Sequence, residues 1–198
     1  MISKKKILFL FLLTFLITSC NPGYRKIDNK WAYVTYDEAA GRRVRYIEVD
    51  NETFEILKEN DYAKDKSKVF YTGTIIPTAD SKTFNIIGQG YSKDNFQVFM
   101  DNEIMIGANP LSFKMLDYPY SRDDNTIFCG TIPMDVKDVE NFKVIRTSGG
   151  KTTALSSHFI KFNPEFSFID TLKYNGVIYG DGQGETLTEK FDGYKKKK

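Results

Sequence analysis

Two cysteines, one histidine and a regular column of aspartates are the residues of this 198-residue chain whose types could do chemistry. Cys129 could act as a nucleophilic thiol. It occupies the same slot of a repeat as Tyr71 and Met100, and three apolar-tolerant residues in one slot mark a packed position, where cysteine behaves as a small hydrophobe. His158 would have to serve any Ser-His-Asp or Cys-His site. Ser156 and Ser157 stand beside it in "SSHF", but adjacency in sequence does not bring a hydroxyl to an imidazole, so a surface or strand histidine is expected. Asp65, Asp94 and Asp123 could form a ladder of carboxylates, either as oxygen ligands for calcium or as the paired acids of a glycosidase. No loop has the ligand spacing of an EF-hand, and Asp is also what a turn requires, so turn scaffolding is the expectation. "GDGQG", Gly180 to Gly184, mimics a phosphate loop but lacks the Lys-Ser/Thr that follows one, and reads as a hairpin or bulge. These residues point to no catalytic group, no metal and no cofactor.

Cys20 is different. The chain opens "MISKKKILFLFLLTFLITSC". Lys4, Lys5 and Lys6 form a basic start, and the apolar run from Ile7 to Ile17 is too short for a spanning helix, as in a signal peptide. It ends in Ile17, Thr18, Ser19 and Cys20, which resembles a bacterial lipobox. That resemblance implies cleavage before Cys20 and acylation of it, and two or three acyl chains hold a protein on a membrane. Asn21 follows, where an Asp would favour inner-membrane retention by resemblance to lipoproteins of two-membrane bacteria. The outer membrane is therefore the expected address, on either its periplasmic or its surface side. With Cys20 acylated, Cys129 has no partner for an intramolecular disulfide.

Composition narrows the partners. The formal charge of +2 comes from the ends. Without Lys4 to Lys6 and Lys195 to Lys198, 21 basic residues face 26 acidic ones, so the body is mildly acidic and unsuited to nucleic acid. Aromatics reach 15%, nearly all Phe and Tyr, which favours pleated, half-buried strands.

Those strands are written as a repeat. Tyr62, Tyr91 and Tyr120 recur every 29 residues, and so do the three aspartates, Phe70, Phe99 and Phe128, and Phe84, Phe113 and Phe142. Four columns at one period mark stacked copies of one unit. Worn copies flank them at Val49–Leu57 and Asn163–Leu172. "YAKDKSKVFY" and "ADSKTFNII" resemble the repeat of the DKNYY family over about Trp31 to Leu172. The resemblance implies no established activity, catalytic residue or ligand.

Each unit reads as two or three short strands and one helical turn, capped by Asp80 or Asn109. At 29 residues it is short for a four-stranded propeller blade. The expected fold is mainly β: stacked hairpin repeats with short helical turns, in a solenoid or curved sheet. A charged insertion, Tyr36 to Tyr46, places the end of one strand at Tyr36 and the start of the next at Val44. The expected organisation is a signal peptide over 1–19, a lipidated tether over 20–30, the repeat domain over 31–172, a capping hairpin over 173–194 turning at Asn175-Gly176, and a solvated basic tail over 195–198. The function read from this is an envelope lipoprotein that serves as a non-catalytic scaffold or binding module for a protein or glycan. A carboxylate hydrolase and a calcium-stiffened scaffold are the alternatives. Specificity belongs where the copies disagree: Arg42 and Arg43, the "SSHF" segment and the glycine-rich C-terminal segment.

Overall fold

Val69-Phe70-Tyr71 and Val98-Phe99-Met100 are apolar runs rich in β-branched and aromatic residues, preceded by Asp65 or Asp94 and followed by Thr72-Gly73 or Asp101-Asn102, so each settles as a short extended segment between reversals. The computed structural model describes residues 21–198; the expected signal peptide and the lipidation at Cys20 lie outside the described residues. The described chain divides into two units, residues 21–65 with Phe70–Thr74, and Lys66–Val69 with Ile75–Lys198.

The chain is mainly β and is built from small antiparallel sheets, each taking its strands in sequence order. The first sheet holds β1 (Gly23–Ile27), β2 (Lys30–Asp37) and β3 (Gly41–Tyr46). Four-stranded sheets follow: β4 (Glu55–Ile56), β5 (Tyr62–Lys64), β6 (Val69–Tyr71) and β7 (Thr74–Ile75); β8 (Asn85–Gly88), β9 (Tyr91–Lys93), β10 (Val98–Met100) and β11 (Glu103–Ile104); β12 (Lys114–Met115), β13 (Tyr120–Arg122), β14 (Ile127–Cys129) and β15 (Ile132–Pro133). The last holds β16 (Lys143–Ser156), β17 (Gly176–Glu185), β18 (Lys190–Asp192) and β19 (Lys195–Lys196). Each 29-residue unit thus fits four strands rather than two or three, because most are only two or three residues long. Such strands are too short to display alternation. The expected helical turn is a single turn, closed by Phe84 N–H donating to the Asp80 carbonyl at 2.9 Å, after which β8 begins at once.

Each column has a distinct task. Phe70, Phe99 and Phe128 are fully buried, and Phe84, Phe113 and Phe142 nearly so; a buried Phe contributes about 1.5–3 kcal/mol. The tyrosines join copies. Tyr91 donates its hydroxyl proton to the Pro119 carbonyl at 2.9 Å, just before Tyr120, and Tyr120 donates to Gly193 at 3.1 Å. In the first unit Tyr24, which the repeat reading missed, holds this place: it pairs with Tyr33 as Tyr91 pairs with Met100, and donates to the Asp61 carbonyl, just before Tyr62, at 3.2 Å. A fifth column is small: Ala63, Ser92 and Ser121, all fully buried. The Ser92 hydroxyl finds no hydrogen-bond partner, which is unfavourable for a buried polar group. Ser92→Ala, the choice already made at Ala63, is expected to raise stability by about 1 kcal/mol in urea unfolding; a loss of stability would show that the hydroxyl does have an acceptor.

The last sheet is a further copy. Gln183, Gly184 and Glu185 pair with Asp192, Phe191 and Lys190 as Tyr120, Ser121 and Arg122 pair with Cys129, Phe128 and Ile127. Three sequence-based boundaries change accordingly. Residues 176–192 carry the second and third strands of this sheet, a hairpin continuous with it rather than a separate cap: β16 and β17 are joined by the segment 157–175, so Asn175-Gly176 is no tight turn. The tail of 195–198 carries β19, which pairs with β18 and is tied by ion pairs from Lys195 to Glu165 at 2.7 Å and from Lys196 to Glu189 at 2.5 Å. At the other end, Gly23–Ile27 of the expected tether pair with β2 along their whole length. The insertion at Tyr36 is a longer hairpin than expected, with β2 and β3 paired from Asp37–Gly41 to Ala32–Tyr46.

Candidate functional site

The aspartate column is a turn device. Asp94 Oδ1 accepts from Phe96 N and Gln97 N, both at 2.7 Å, while Oδ2 accepts from Asp80 N at 2.8 Å on the preceding turn. Asp123 repeats this with Asn125, Thr126 and Asn109 at 2.8, 2.8 and 2.9 Å, and Asp65 accepts from Asp50 N at 3.0 Å. All three are 3–4% exposed. Both carboxylate oxygens of Asp94 and of Asp123 thus accept backbone N–H groups, so the buried column serves the turns. Among the described residues, no three His, Cys, Asp or Glu side chains converge as a metal cage.

Cys129 is fully buried, with Sγ 3.2 Å from the Gly180 carbonyl. Burial pushes its thiol up to about 12 from the ordinary 9.0, the opposite of what a nucleophile needs. His158 is exposed on α1 (Ser157–Lys161), where its ring meets those of Phe159 and Phe162 at 6.0 and 5.4 Å. Arg42 and Arg43 stand on β3, an edge strand exposed at every residue; Arg43 pairs with Asp37 at 3.7 Å.

The other two irregular segments come together. The insertion of 157–175 begins with α1 and continues into a 3-10 turn, Pro164–Phe166, capped by Asn163 Oδ1 accepting from Glu165 N at 3.1 Å. Asp170 closes its end, accepting from Tyr174 N on its carbonyl at 3.0 Å. Ile160, Phe166, Ile169 and Tyr174 pin the insertion to Ile132 and Val177. Phe166 is thereby held 6.1 Å from the Tyr179 ring on β17 and 6.0 Å from Tyr194, with Tyr179 and Tyr194 edge to face at 5.0 Å.

Beside these rings lies a cleft of about 550 Å³. Asn163 and Glu165 line it from the insertion, Asp181 from β17, Asp192 from β18, and Lys195 from β19. Tyr194 donates its hydroxyl proton to the Glu165 carboxylate. The site thus combines an aromatic wall with two carboxylates on the sheet and a third on the insertion, an arrangement that suits binding of a polar or cationic group. Gly180 and Asp181 of "GDGQG" contribute to the cleft, while Gly182 and Gly184 serve the core. A Cβ on Gly182 would stand 2.7 Å from the Tyr120 ring, and one on Gly184 2.3 Å from Phe142, so aromatic rings of the repeat require bare backbone there. Sequence reasoning named the two segments as irregular but missed Phe166, Tyr179 and Tyr194 as a group. Their only signal is aromatic enrichment, which is spread along the whole chain.

A model described as the DKNYY family matches residues 6–103 and again residues 91–198. No curated protein and no solved structure matches the chain.

Proposed function

The chain belongs to the DKNYY family, and from that premise we propose that it is a non-catalytic repeat scaffold, anchored in the bacterial envelope through acylated Cys20, that binds a protein or glycan at the cleft beside Tyr179 and Tyr194. One contrast carries this reading. In the regular copies the column carboxylates are buried and taken up by backbone N–H groups, whereas in the last copy Glu165, Asp181 and Asp192 reach the surface beside aromatic rings. Exposed carboxylates occur along the chain, and at the cleft three of them stand together beside aromatic rings. The anchor is supported by the basic start, the short apolar run and the small residues before Cys20.

The test is made in cells carrying the full chain. A photo-crosslinking amino acid at Asp181 is expected to trap an envelope component, and the same group at Phe96, an exposed repeat turn, is expected to trap none. Equal trapping at both positions would remove the cleft from the proposal. Metabolic labelling with an alkynyl fatty acid is expected to mark the wild-type chain and leave Cys20→Ser unmarked, and a labelled Cys20→Ser would overturn the anchor.

A further inference from the structure

The lining of the cleft is rich in carboxylates. Glu165, Asp181 and Asp192 face it with Lys195 as the only cation on its lining. That lysine already shows what the cleft accepts. Its Nζ lies 2.7 Å from Glu165 and 5.5 Å from the centroid of the Tyr194 ring, so the ammonium is held by a carboxylate on one side and a π face on the other. Lys197, two residues on, reaches Asp192 at 3.5 Å. An electron-rich ring wall with carboxylates at its rim selects an alkylammonium group by cation–π attraction and charge together. β19, which carries Lys195, is a two-residue edge strand with exposed side chains, and a short edge strand opens at low energetic cost.

We infer that the cleft is a receptor for the lysine side chain of a partner polypeptide, and that Lys195 occupies the position in the free protein. The inference rests on the cleft being the binding site, as proposed above. A ligand lysine takes the place of Lys195 between the Glu165 carboxylate and the Tyr194 ring. The strand-borne lysine now in place identifies the carrier as polypeptide rather than amino sugar.

The test is calorimetric titration of the chain from residue 20 carrying Cys20→Ser, which contains every described residue. The probes are Nα-acetyl-lysine amide, its Nζ-acetylated form and glucosamine. Lys195→Ala is expected to bind the lysine amide at least fivefold more tightly than the chain with Lys195 intact, to ignore the Nζ-acetylated form and to prefer lysine over glucosamine. Adding Glu165→Gln to Lys195→Ala is expected to remove that binding. Equal affinity with and without Lys195, indifference to acetylation, preference for glucosamine, or no saturable lysine binding by either chain would each overturn the inference. Crosslinking from Asp181 that persists with excess lysine amide would end the lysine assignment and leave the cleft as a binding site; loss of crosslinking altogether would instead end the underlying reading.

Discussion

Asp94→Ala is expected to cost about 4 kcal/mol, Asp94→Thr about 2 kcal/mol, and Asp94→Thr combined with Gln97→Glu less than about 1 kcal/mol. The first figure follows from three backbone N–H groups, those of Phe96, Gln97 and Asp80, that lose their acceptor together. Each unsatisfied buried donor costs about 1–3 kcal/mol, and water reaching the turn recovers part. The rescue is taken from the last copy of the repeat, where Thr186 stands in the place of Asp94. The equivalence is fixed by the backbone: Thr186 N donates to the Glu189 carbonyl at 2.9 Å as Asp94 N donates to Gln97 at 3.0 Å. Thr186 Oγ1 accepts from Thr188 N and Glu189 N, and the Glu189 carboxylate takes over the third task, accepting from Lys137 N at 3.0 Å on the preceding turn. The protein thus divides the work of one aspartate between two side chains. Urea unfolding of the three variants measures this, and a double variant no more stable than Asp94→Thr would disprove the equivalence.

The second large effect is alkaline unfolding. Burial raises the Cys129 thiol to about 12 from 9.0, and burial likewise raises the phenols of Tyr24, Tyr91 and Tyr120 above the ordinary tyrosine value. These acids ionise in the unfolded chain before they ionise in the folded one. The unfolded state therefore binds fewer protons above pH 9, and stability falls as pH rises. The contribution is fully present below pH 9, the unfolded thiol value, and for Cys129 is lost by pH 12. Three pH units at about 1.4 kcal/mol each make about 4 kcal/mol for the thiol alone, with the tyrosines adding to the loss above pH 10. The chain is expected to be insensitive to pH from 7 to 9 and to unfold cooperatively between pH 10 and 12. Cys129→Ala is expected to start from lower stability, because it leaves a cavity, but to lose stability less steeply between pH 9 and 10. Parallel slopes for wild type and variant would show that the thiol is not the group responsible.

The period was legible because Tyr, Phe and Asp each have a fixed task in every regular copy. What the tasks are was legible only in part. That Asp94 makes a turn follows from its type, whereas its burial and its bond to Asp80, on another turn, depend on the register of two strands. Tyr91 reads as a core aromatic, since nothing local in sequence reveals that its hydroxyl meets a carbonyl 28 residues on. The last copy escaped notice for a physical reason. Gly184 replaces the small serine, Thr186 replaces the aspartate, and the lengthened β16 and β17 with the insertion between them break the period. The cleft arises from that same break, so the feature that hid the copy also built the site. Tyr179 and Phe166 belong to separate segments, and only β17 running back past the insertion brings their rings together.

The tyrosine joint has a direction. Tyr91 reaches forward to the residue before Tyr120, Tyr120 reaches forward to Gly193, and Gln183 holds the corresponding place in the last sheet. Both acceptors are main-chain carbonyls, so neither joint asks for a particular side chain on the receiving side. A tandem duplication of a middle copy therefore needs no matching side chain at this bond. Copy number is thus open to inheritance as a single genetic event, while the last copy, with no outgoing tyrosine, can diverge without unfastening a neighbour.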